Sequence, residues 1–165
     1  PYIHASVFGV MALFRMGSAK EAWEKLMKSL PVTHQNISVS PFVMPNSYCY
    51  NPDKNIDGES MLDWQTGSSN VVLKLLIRFV VGIKPSYDGV WIQPANYCPF
   101  TGFKAEVMVK GAKIRLLYRK NELGERRFMV NGEAMEGVFN NRLKAKRLWI
   151  PMSKLIDTVD VIVED

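Results

Sequence analysis

The sequence has little of several features that often reveal a protein's compartment or chemistry. Its two cysteines, Cys49 and Cys98, stand far apart and outside any metal-ligand spacing, so no metal site is predicted. A reduced chain with two thiols is the simpler interpretation, and a disulfide between them stays open. No run reaches the roughly 18 apolar residues of a membrane-spanning helix, and no signal peptide opens the chain, which favours a cytoplasmic protein without a membrane partner.

The distribution of charge argues against a nucleic-acid partner. The net charge of +5 is compatible with a nucleic-acid partner. However, Lys and Arg occur as singletons and pairs interleaved with Glu along the C-terminal half, which is typical of solvated strand faces, so no nucleic-acid binding is predicted. With 22% charged and 47% hydrophobic residues, the 165 residues are expected to fold around one ordinary core or two small ones.

Helical periodicity opens the chain. Residues 2–16 are apolar on most sides, which predicts a helix that is buried on most sides and ends at Gly17. Ser18 and Glu21 have the spacing of a capping box, in which each side chain accepts a backbone N–H of the first turn. The second helix that follows is expected to stop before Pro31.

A long segment separates these helices from a third one. Residues 31–65 are predicted to be irregular, with His34 as a surface loop residue. A helix is then predicted over about residues 68–82. Only Lys74 and Arg78 mark a solvent-facing stripe on it, so it too is expected to be mostly buried.

The period of the apolar residues switches to two after Gly82. Asn131-Gly132 is a strong two-residue hairpin signal, and residues 122–124 supply another turn. The strands are predicted at 90–93, 104–110, 113–119, 127–130, 147–150 and 159–163. The fold class is therefore predicted as α+β, with a helical region over residues 1–84 and a β-sandwich or jelly-roll over residues 85–165.

The third helix opens on a small, hydroxyl-rich sequence, Thr66-Gly67-Ser68-Ser69. The first amides of a helix have no internal partner and lie at the positive end of its dipole, so such an opening can bind an anion. Ordinary N-capping by Ser68 or Thr66 explains the same residues. The segment is not a P-loop, because it lacks the leading Gly and the Lys.

Other residues carry weaker signals. His4 lies in an apolar helix, where a histidine is either a satisfied core residue or a ligand. The carboxylates at positions 53, 57, 59 and 63 could form an acid–base pair for sugar chemistry, but loop carboxylates near Pro and Gly are usually turn formers. Tyr48, Tyr50 and Trp64 could stack on sugar rings or simply pack.

Several sequence blocks occur in a specific order over residues 1 to about 118. They are Pro-Tyr-Ile-His-Ala from Pro1, Glu-Ala-Trp from Glu21, Pro-Phe-Val-Met-Pro-Asn-Ser-Tyr from Pro41, Trp-Gln-Thr-Gly-Ser from Trp64, and Gly-Ile-Lys-Pro-Ser-Tyr-Asp-Gly-Val-Trp-Ile-Gln-Pro from Gly82. This order resembles the C-terminal part of the inverting β-glycoside phosphorylases of glycoside hydrolase family 94, which act on cellobiose, cellodextrins, chitobiose and β-1,2-oligoglucans.

The resemblance implies a fold and a reaction. The fold would be the last helices of an (α/α)6 barrel followed by a C-terminal jelly-roll. In the reaction, inorganic phosphate attacks the anomeric carbon of a β-glucoside with inversion to give an α-sugar 1-phosphate, while a carboxylic acid protonates the leaving oxygen. The family's phosphate site corresponds here to His4, Thr66 and Gly67, and its sugar-contacting amide to Asn46. No cofactor is implied, because phosphate is a co-substrate.

The resemblance also predicts what this chain does not supply. The family's Asp general acid lies upstream of the matched part, so no catalytic residue is expected here and the isolated chain is expected to be inactive. The periodic helical opening without Met likewise predicts a natural protein that begins upstream. The expected partners are a β-linked glucosyl oligosaccharide, phosphate and the remainder of the barrel, on the same or another chain; a homodimer stays open.

Two alternatives and one departure accompany this interpretation. Ser40-Pro41-Phe42-Val43-Met44 stands where the family usually has Glu-Pro-Tyr-Val-Tyr, so the sugar and its linkage stay undecided. A non-catalytic carbohydrate-binding or structural module would explain the β half and the missing acid. The phosphorylase-like end of a cyclic glucan synthase would explain the sequence blocks as well.

Overall fold

The computed structural model describes residues 1–33, 42–64, 66–122 and 124–165. Within these ranges the chain forms three α-helices and eleven strands, which confirms the predicted α+β class. They belong to two compact units, Pro1–Leu75 and Leu76–Asp165. Two residues with sequence-based predictions lie outside the described residues. They are His34, predicted to be a loop residue, and Leu123, in the middle of the predicted 122–124 turn.

The first unit contains the helices α1 (Ile3–Arg15), α2 (Ala19–Met27) and α3 (Ser68–Leu75). α1 packs against both α2 and α3. The expectation that α1 is buried on most sides is wrong, because Phe8 and Met16 are more than half exposed. Leu73 of α3 is also 56% exposed, so each helix buries one face only. The buried side chains of this unit include Ile3, Val7, Val10, Phe14, Ala22, Leu26, Val72 and Leu75.

The junction between α1 and α2 shows one correct and one wrong prediction. Gly17 has a positive φ of 75°, and its N–H bonds to Phe14 O while the N–H of Ser18 bonds to Leu13 O, which is the Schellman arrangement that closes a helix. Ser18 makes no side-chain cap bond to α2. Its φ of −95° and ψ of 51° differ from the extended conformation of a capping serine, because Ser18 is also the last residue of the Schellman turn.

A β-hairpin lies inside the segment that was predicted to be irregular, so that prediction is wrong for this part. β1 (Ser47–Asn51) and β2 (Ile56–Met61) pair antiparallel around a short 3₁₀ turn at Pro52–Lys54. The hairpin also pairs with the start of the chain, because Tyr2 forms a β-bridge with Ser47. This pairing holds the beginning of α1.

The second unit opens with a π-helical turn, Leu76–Val81, and is otherwise built from strands. The strands are β3 (Ile83–Ser86), β4 (Gly89–Ile92), β5 (Gly102–Val109), β6 (Ala112–Arg119), β7 (Arg127–Val130), β8 (Glu133–Met135), β9 (Val138–Asn140), β10 (Ala145–Pro151) and β11 (Thr158–Glu164). Each predicted strand overlaps an observed one, whereas β3, β8 and β9 were not predicted. Asn131 and Gly132 form the predicted hairpin turn between β7 and β8, with φ values of 50° and 85°.

These strands form two sheets that share one core. One has the order β3-β4-β10-β9 and the other β5-β6-β11-β7-β8. The neighbours are antiparallel except β6 and β11, which are parallel. Buried residues of both sheets, among them Val90 and Ile150 from the first and Ile114 and Val161 from the second, belong to one apolar cluster.

Gly82 joins the π-helical turn to β3 at a place where no side chain fits. Its φ is +82°, and a β-carbon there would lie 2.1 Å from Pro94 N. The same close approach allows the N–H of Gln93 to bond to Gly82 O at 2.7 Å. The glycine of the Gly-Ile-Lys-Pro block therefore has a structural role. Within the described ranges, no helix is both long and apolar enough to cross a membrane.

Candidate functional site

His4 lies beside the opening of α3. A β-carbon at Gly67 would be 3.5 Å from Cε1 and 3.7 Å from Nδ1 of His4, so this edge of the imidazole faces the glycine. His4 is half-buried and Gly67 is exposed. The two residues are far apart in sequence and meet because α1 packs against α3. A small ligand at Gly67 would therefore be within reach of a ring nitrogen and of the first backbone amides of α3.

Thr66 caps α3. Its Oγ1 accepts the backbone N–H of Ser68 at 3.1 Å and lies 2.7 Å from the Ser68 hydroxyl. Ser68 is completely buried. The capping interpretation of this segment is thus correct for Thr66. Thr66 can cap α3 and still donate a hydrogen bond to a ligand. When the Ser68 hydroxyl donates to Thr66 Oγ1, the proton of the Thr66 hydroxyl remains available for donation.

Asn46 is held next to the turn of α1 that carries His4. Its carbonyl accepts the N–H of Ile3 at 2.9 Å, and its own N–H bonds to Met61 O at 3.0 Å. Its side-chain Oδ1 accepts the hydroxyl of Ser47 at 3.1 Å. The hairpin thereby connects Asn46 to the first turn of α1, which carries His4.

Two aromatic residues at this place were not predicted from the sequence. The Tyr2 ring is stacked on His4 with centroids 6.1 Å apart and planes 13° apart, and the Phe8 ring is 5.1 Å away at 51°. The spacing of four residues between His4 and Phe8 could have indicated the second contact, because such residues are neighbours on a helix face. The Tyr2 contact depends on the hairpin, which was not predicted.

The other candidate residues divide into exposed and buried positions. Asp57 and Glu59 lie on the exposed side of β2. Tyr50 and Trp64 are 70% and 79% exposed, whereas Tyr48 is buried, in agreement with a packing role. Among the described residues, no group of three or more His, Cys, Asp and Glu side chains is arranged to hold a metal ion.

The second unit contains a buried ionic cluster around Arg126. Its Nε and one terminal nitrogen bond to the Asp165 carboxylate at 3.0 and 2.5 Å. The remaining N–H groups bond to the carbonyl oxygens of Pro94 (2.6 Å), Ala95 (2.8 Å) and Lys146 (3.2 Å). All five N–H groups of the guanidinium thus have acceptors within the described part of the chain, which gives Arg126 a structural role rather than an anion-binding one.

The same carboxylate receives the hydroxyl of Tyr118 at 3.0 Å. Burial, and next the negative charge of Asp165, raise the pKa of Tyr118 far above its ordinary value. Tyr118 is therefore a neutral hydrogen-bond donor at physiological pH. It ties β6 to the ion pair of Arg126 and Asp165.

Comparison with known proteins gives three distant relatives. Over 144 residues the chain is 24% identical to solabiose phosphorylase from Paenibacillus borealis, an alignment that covers 83% of this chain. It is 28% identical over 155 residues, again 83% of this chain, to cyclic β-(1,2)-glucan synthase NdvB from Rhizobium meliloti. It is 26% identical over 119 residues, 70% of this chain, to 3-O-β-D-glucopyranosyl-β-D-glucuronide phosphorylase from Paenibacillus borealis. No protein-family model matches the chain.

The chain spans only a small part of these relatives. It covers 19% of the solabiose phosphorylase, 16% of the glucuronide phosphorylase and 5% of the synthase. Two of the three relatives are phosphorylases and the third is a glucan synthase, so the predicted similarity to phosphorylase-like carbohydrate enzymes is confirmed at that level. No individual member is singled out.

Gly67 can be tested without disturbing the fold. Its φ lies outside the left-handed region, and a methyl group there would meet His4 at an ordinary contact distance, so Gly67→Ala is expected to leave the unfolding temperature unchanged. The methyl would occupy the space beside the imidazole edge. The phosphate site that the family resemblance implies predicts that the apparent Kd of the intact protein for inorganic phosphate rises about tenfold, as for the loss of one hydrogen bond to a charged group.

Gly9→Ala is the matched control, because Gly9 lies in α1 and a β-carbon there meets nothing within 4 Å. This variant should keep phosphate binding and stabilise α1 by about 0.5–1 kcal/mol. Phosphate binding that is equal in Gly67→Ala and Gly9→Ala would exclude Gly67 from the site.

Proposed function

We propose that this chain is the C-terminal part of an inverting β-glycoside phosphorylase, and that it supplies the phosphate site while another part of the protein supplies the general acid. Phosphate would attack the anomeric carbon of a β-linked glucosyl oligosaccharide and give an α-sugar 1-phosphate. The observation that carries the proposal is the packing of the His4 ring against Gly67 at the opening of α3. The two phosphorylases among the relatives support the reaction type.

The proposed roles follow from the donors at this place. The first amides of α3 lie at the positive end of the helix dipole, where an anion is stabilised. The Thr66 hydroxyl and one ring nitrogen of His4 each add a hydrogen bond, and hydrogen bonds to a charged group are the stronger kind. Phosphate is already an anionic nucleophile, so no base has to activate it. Asn46 would contact the sugar from the hairpin side.

The rest of the architecture is part of the same proposal. α1, α2 and α3 would be the last helices of an (α/α)6 barrel, and the two sheets would form a C-terminal β-sandwich of the jelly-roll kind. The common core of the two sheets supports the second assignment. We also propose a cytoplasmic protein, because the buried Cys98 is a free thiol.

The test is an assay of the intact protein in the synthetic direction. The protein is incubated with α-glucose 1-phosphate and a panel of β-glucosyl acceptors, and release of inorganic phosphate is measured. Acceptor-dependent release, with an inverted product anomer by NMR, is the expected result. Absence of release with every acceptor would count against the proposal.

A companion assay tests the proposal that another part of the protein supplies the general acid. The isolated 165-residue chain is expected to give no phosphate release under the same conditions, because the family resemblance implies that the general acid lies upstream of it. Turnover by the isolated chain alone would show that the general acid lies within these 165 residues. Activity regained by adding the remaining part of the protein would support the division of roles.

The synthase relative favours a second candidate function. The chain could be the phosphorylase-like end of a cyclic glucan synthase, since it is 28% identical to such an enzyme over 155 residues. In that case the intact protein would make a cyclic β-(1,2)-glucan. Glucan formation that does not depend on α-glucose 1-phosphate would favour the synthase.

A further inference from the structure

We propose that Tyr2 and Phe8 are positioning residues that hold the His4 ring with its Nδ1–Cε1 edge toward Gly67. This inference rests on the proposed phosphate site. The two rings lie on either side of His4 along the chain, Tyr2 nearly parallel to it and Phe8 tilted by 51°. Together with Gly67 they give the imidazole three close neighbours.

Burial does not account for the two aromatic residues. Tyr2 is 52% exposed and Phe8 is 53% exposed, whereas the core-facing side chains of α1 are at other positions. An aromatic ring that is half in water gains little from hydrophobic burial. The contact that both rings share within the first unit is the one with His4.

Tyr2 has an anchored backbone. Its carbonyl accepts both the N–H of Ser6 at 3.2 Å and the Ser6 hydroxyl at 3.0 Å. The residue also bridges to Ser47, and Pro1 O accepts the N–H of Tyr48 at 3.0 Å. The Tyr2 ring therefore extends from a fixed point on the hairpin side of His4.

Phe8 contacts His4 from within α1. It lies one helical turn after His4 on the same face of α1, so helix geometry fixes the separation of the two residues. The χ2 torsion of a histidine has broad minima, and an unrestrained imidazole would turn its nitrogens away from Gly67 for part of the time. Contact with two aromatic rings restricts that rotation.

The test measures binding of inorganic phosphate to the intact protein by a thermal-shift titration. Phe8→Ala is expected to raise the apparent Kd about three- to tenfold, in line with the strength of an aromatic pair, and His4→Ala is expected to raise it further. Because Phe8 acts through His4, the double variant should bind phosphate no more weakly than His4→Ala alone. A purely structural role of Phe8 would not produce this non-additivity.

Control variants separate positioning from folding. Phe8→Tyr keeps the ring and should bind phosphate like the parent protein. Met16→Ala removes an exposed apolar side chain from the end of α1 and should also leave the Kd unchanged. If Phe8→Ala does not fold, Phe8→Leu replaces it, since leucine keeps an apolar side chain without a ring face.

Two results would overturn the inference. One is an unchanged Kd in Phe8→Ala while His4→Ala binds phosphate more weakly. This result would support the phosphate site but contradict the positioning role of Phe8. The other is a double variant whose loss is the product of the two single losses. An unchanged Kd in His4→Ala would instead remove the phosphate site itself, and the proposed function with it.

Discussion

Replacing His4 by alanine in the intact protein is expected to raise the KM for phosphate about a hundredfold, the upper end of the loss of one hydrogen bond to a charged group. The ring edge faces Gly67 at contact distance, so its removal leaves a gap at the opening of α3. The side chain is half-buried and lies outside the core, so the folded state should persist. Initial rates at varied phosphate, together with circular dichroism, measure both effects.

Thr66→Val is the companion change. Valine keeps the shape of threonine but removes the hydroxyl that accepts the N–H of Ser68, so phosphate use should fall about ten- to a hundredfold. The lost cap should also cost about 1 kcal/mol of stability. Thr66→Ser retains the hydroxyl and is the matched control. Equal phosphate KM values in the valine and serine variants would assign the hydroxyl to capping alone.

Arg126→Met is expected to lower the free energy of unfolding by about 3 kcal/mol or more, because breaking a buried ion pair leaves the other charge without compensation. The guanidinium side chain is only 4% exposed. Its removal would leave the carbonyl oxygens of Pro94 and Ala95 without their guanidinium donor. It would also remove the positive charge that pairs with the Asp165 carboxylate, which keeps the Tyr118 hydroxyl as a donor. Urea denaturation followed by the fluorescence of Trp91 and Trp149 would report the change in this unit.

Arg115→Met provides the comparison on the same unit. Arg115 makes two bonds to the Asp160 carboxylate at 2.6 and 2.7 Å, but both side chains are about half exposed. Exposed pairs contribute little to stability, so the urea midpoint of this variant should match that of the parent protein. Equal midpoints in the Arg126 and Arg115 variants would show that burial does not distinguish the two pairs.

Local signals in the sequence predicted local structure well. Gly17 ends α1 because only a residue that tolerates positive φ completes the Schellman turn, and Asn131-Gly132 makes the β7–β8 turn for a similar reason. The hairpin of β1 and β2 was missed although Ile56–Met61 alternates between partly buried and exposed residues. Gly58 lies in the middle of this strand, and the prolines and asparagines around it are typical of loops.

Non-local structure could not be predicted from these patterns. The parallel pairing of β6 with β11 joins residues more than forty positions apart, and no turn signal specifies it. The sequence also did not predict which face of α1 is exposed, because an exposed phenylalanine and a buried one look alike in the sequence. Phe8 is exposed beside His4, whereas Phe14 is in the core.

The candidate site was predicted from a family resemblance rather than from spacing. His4 and Gly67 are separated by more than sixty positions, and each had an ordinary structural explanation when taken alone. Their contact is a result of the packing of α1 on α3. The roles of the site residues in phosphate and sugar binding stay predictions until the variants described above are measured.

The order of the five-stranded sheet has a consequence for synthesis on the ribosome. β11 lies at the centre, between β6 and β7, yet it follows every other strand of that sheet along the chain. Until residues 158–164 leave the exit tunnel, β6 and β7 each present an open edge whose backbone groups can pair with another nascent chain. This sheet is therefore completed only after its last strand has been made, and a premature stop before Thr158 would leave two unjoined half-sheets instead of a shortened sheet.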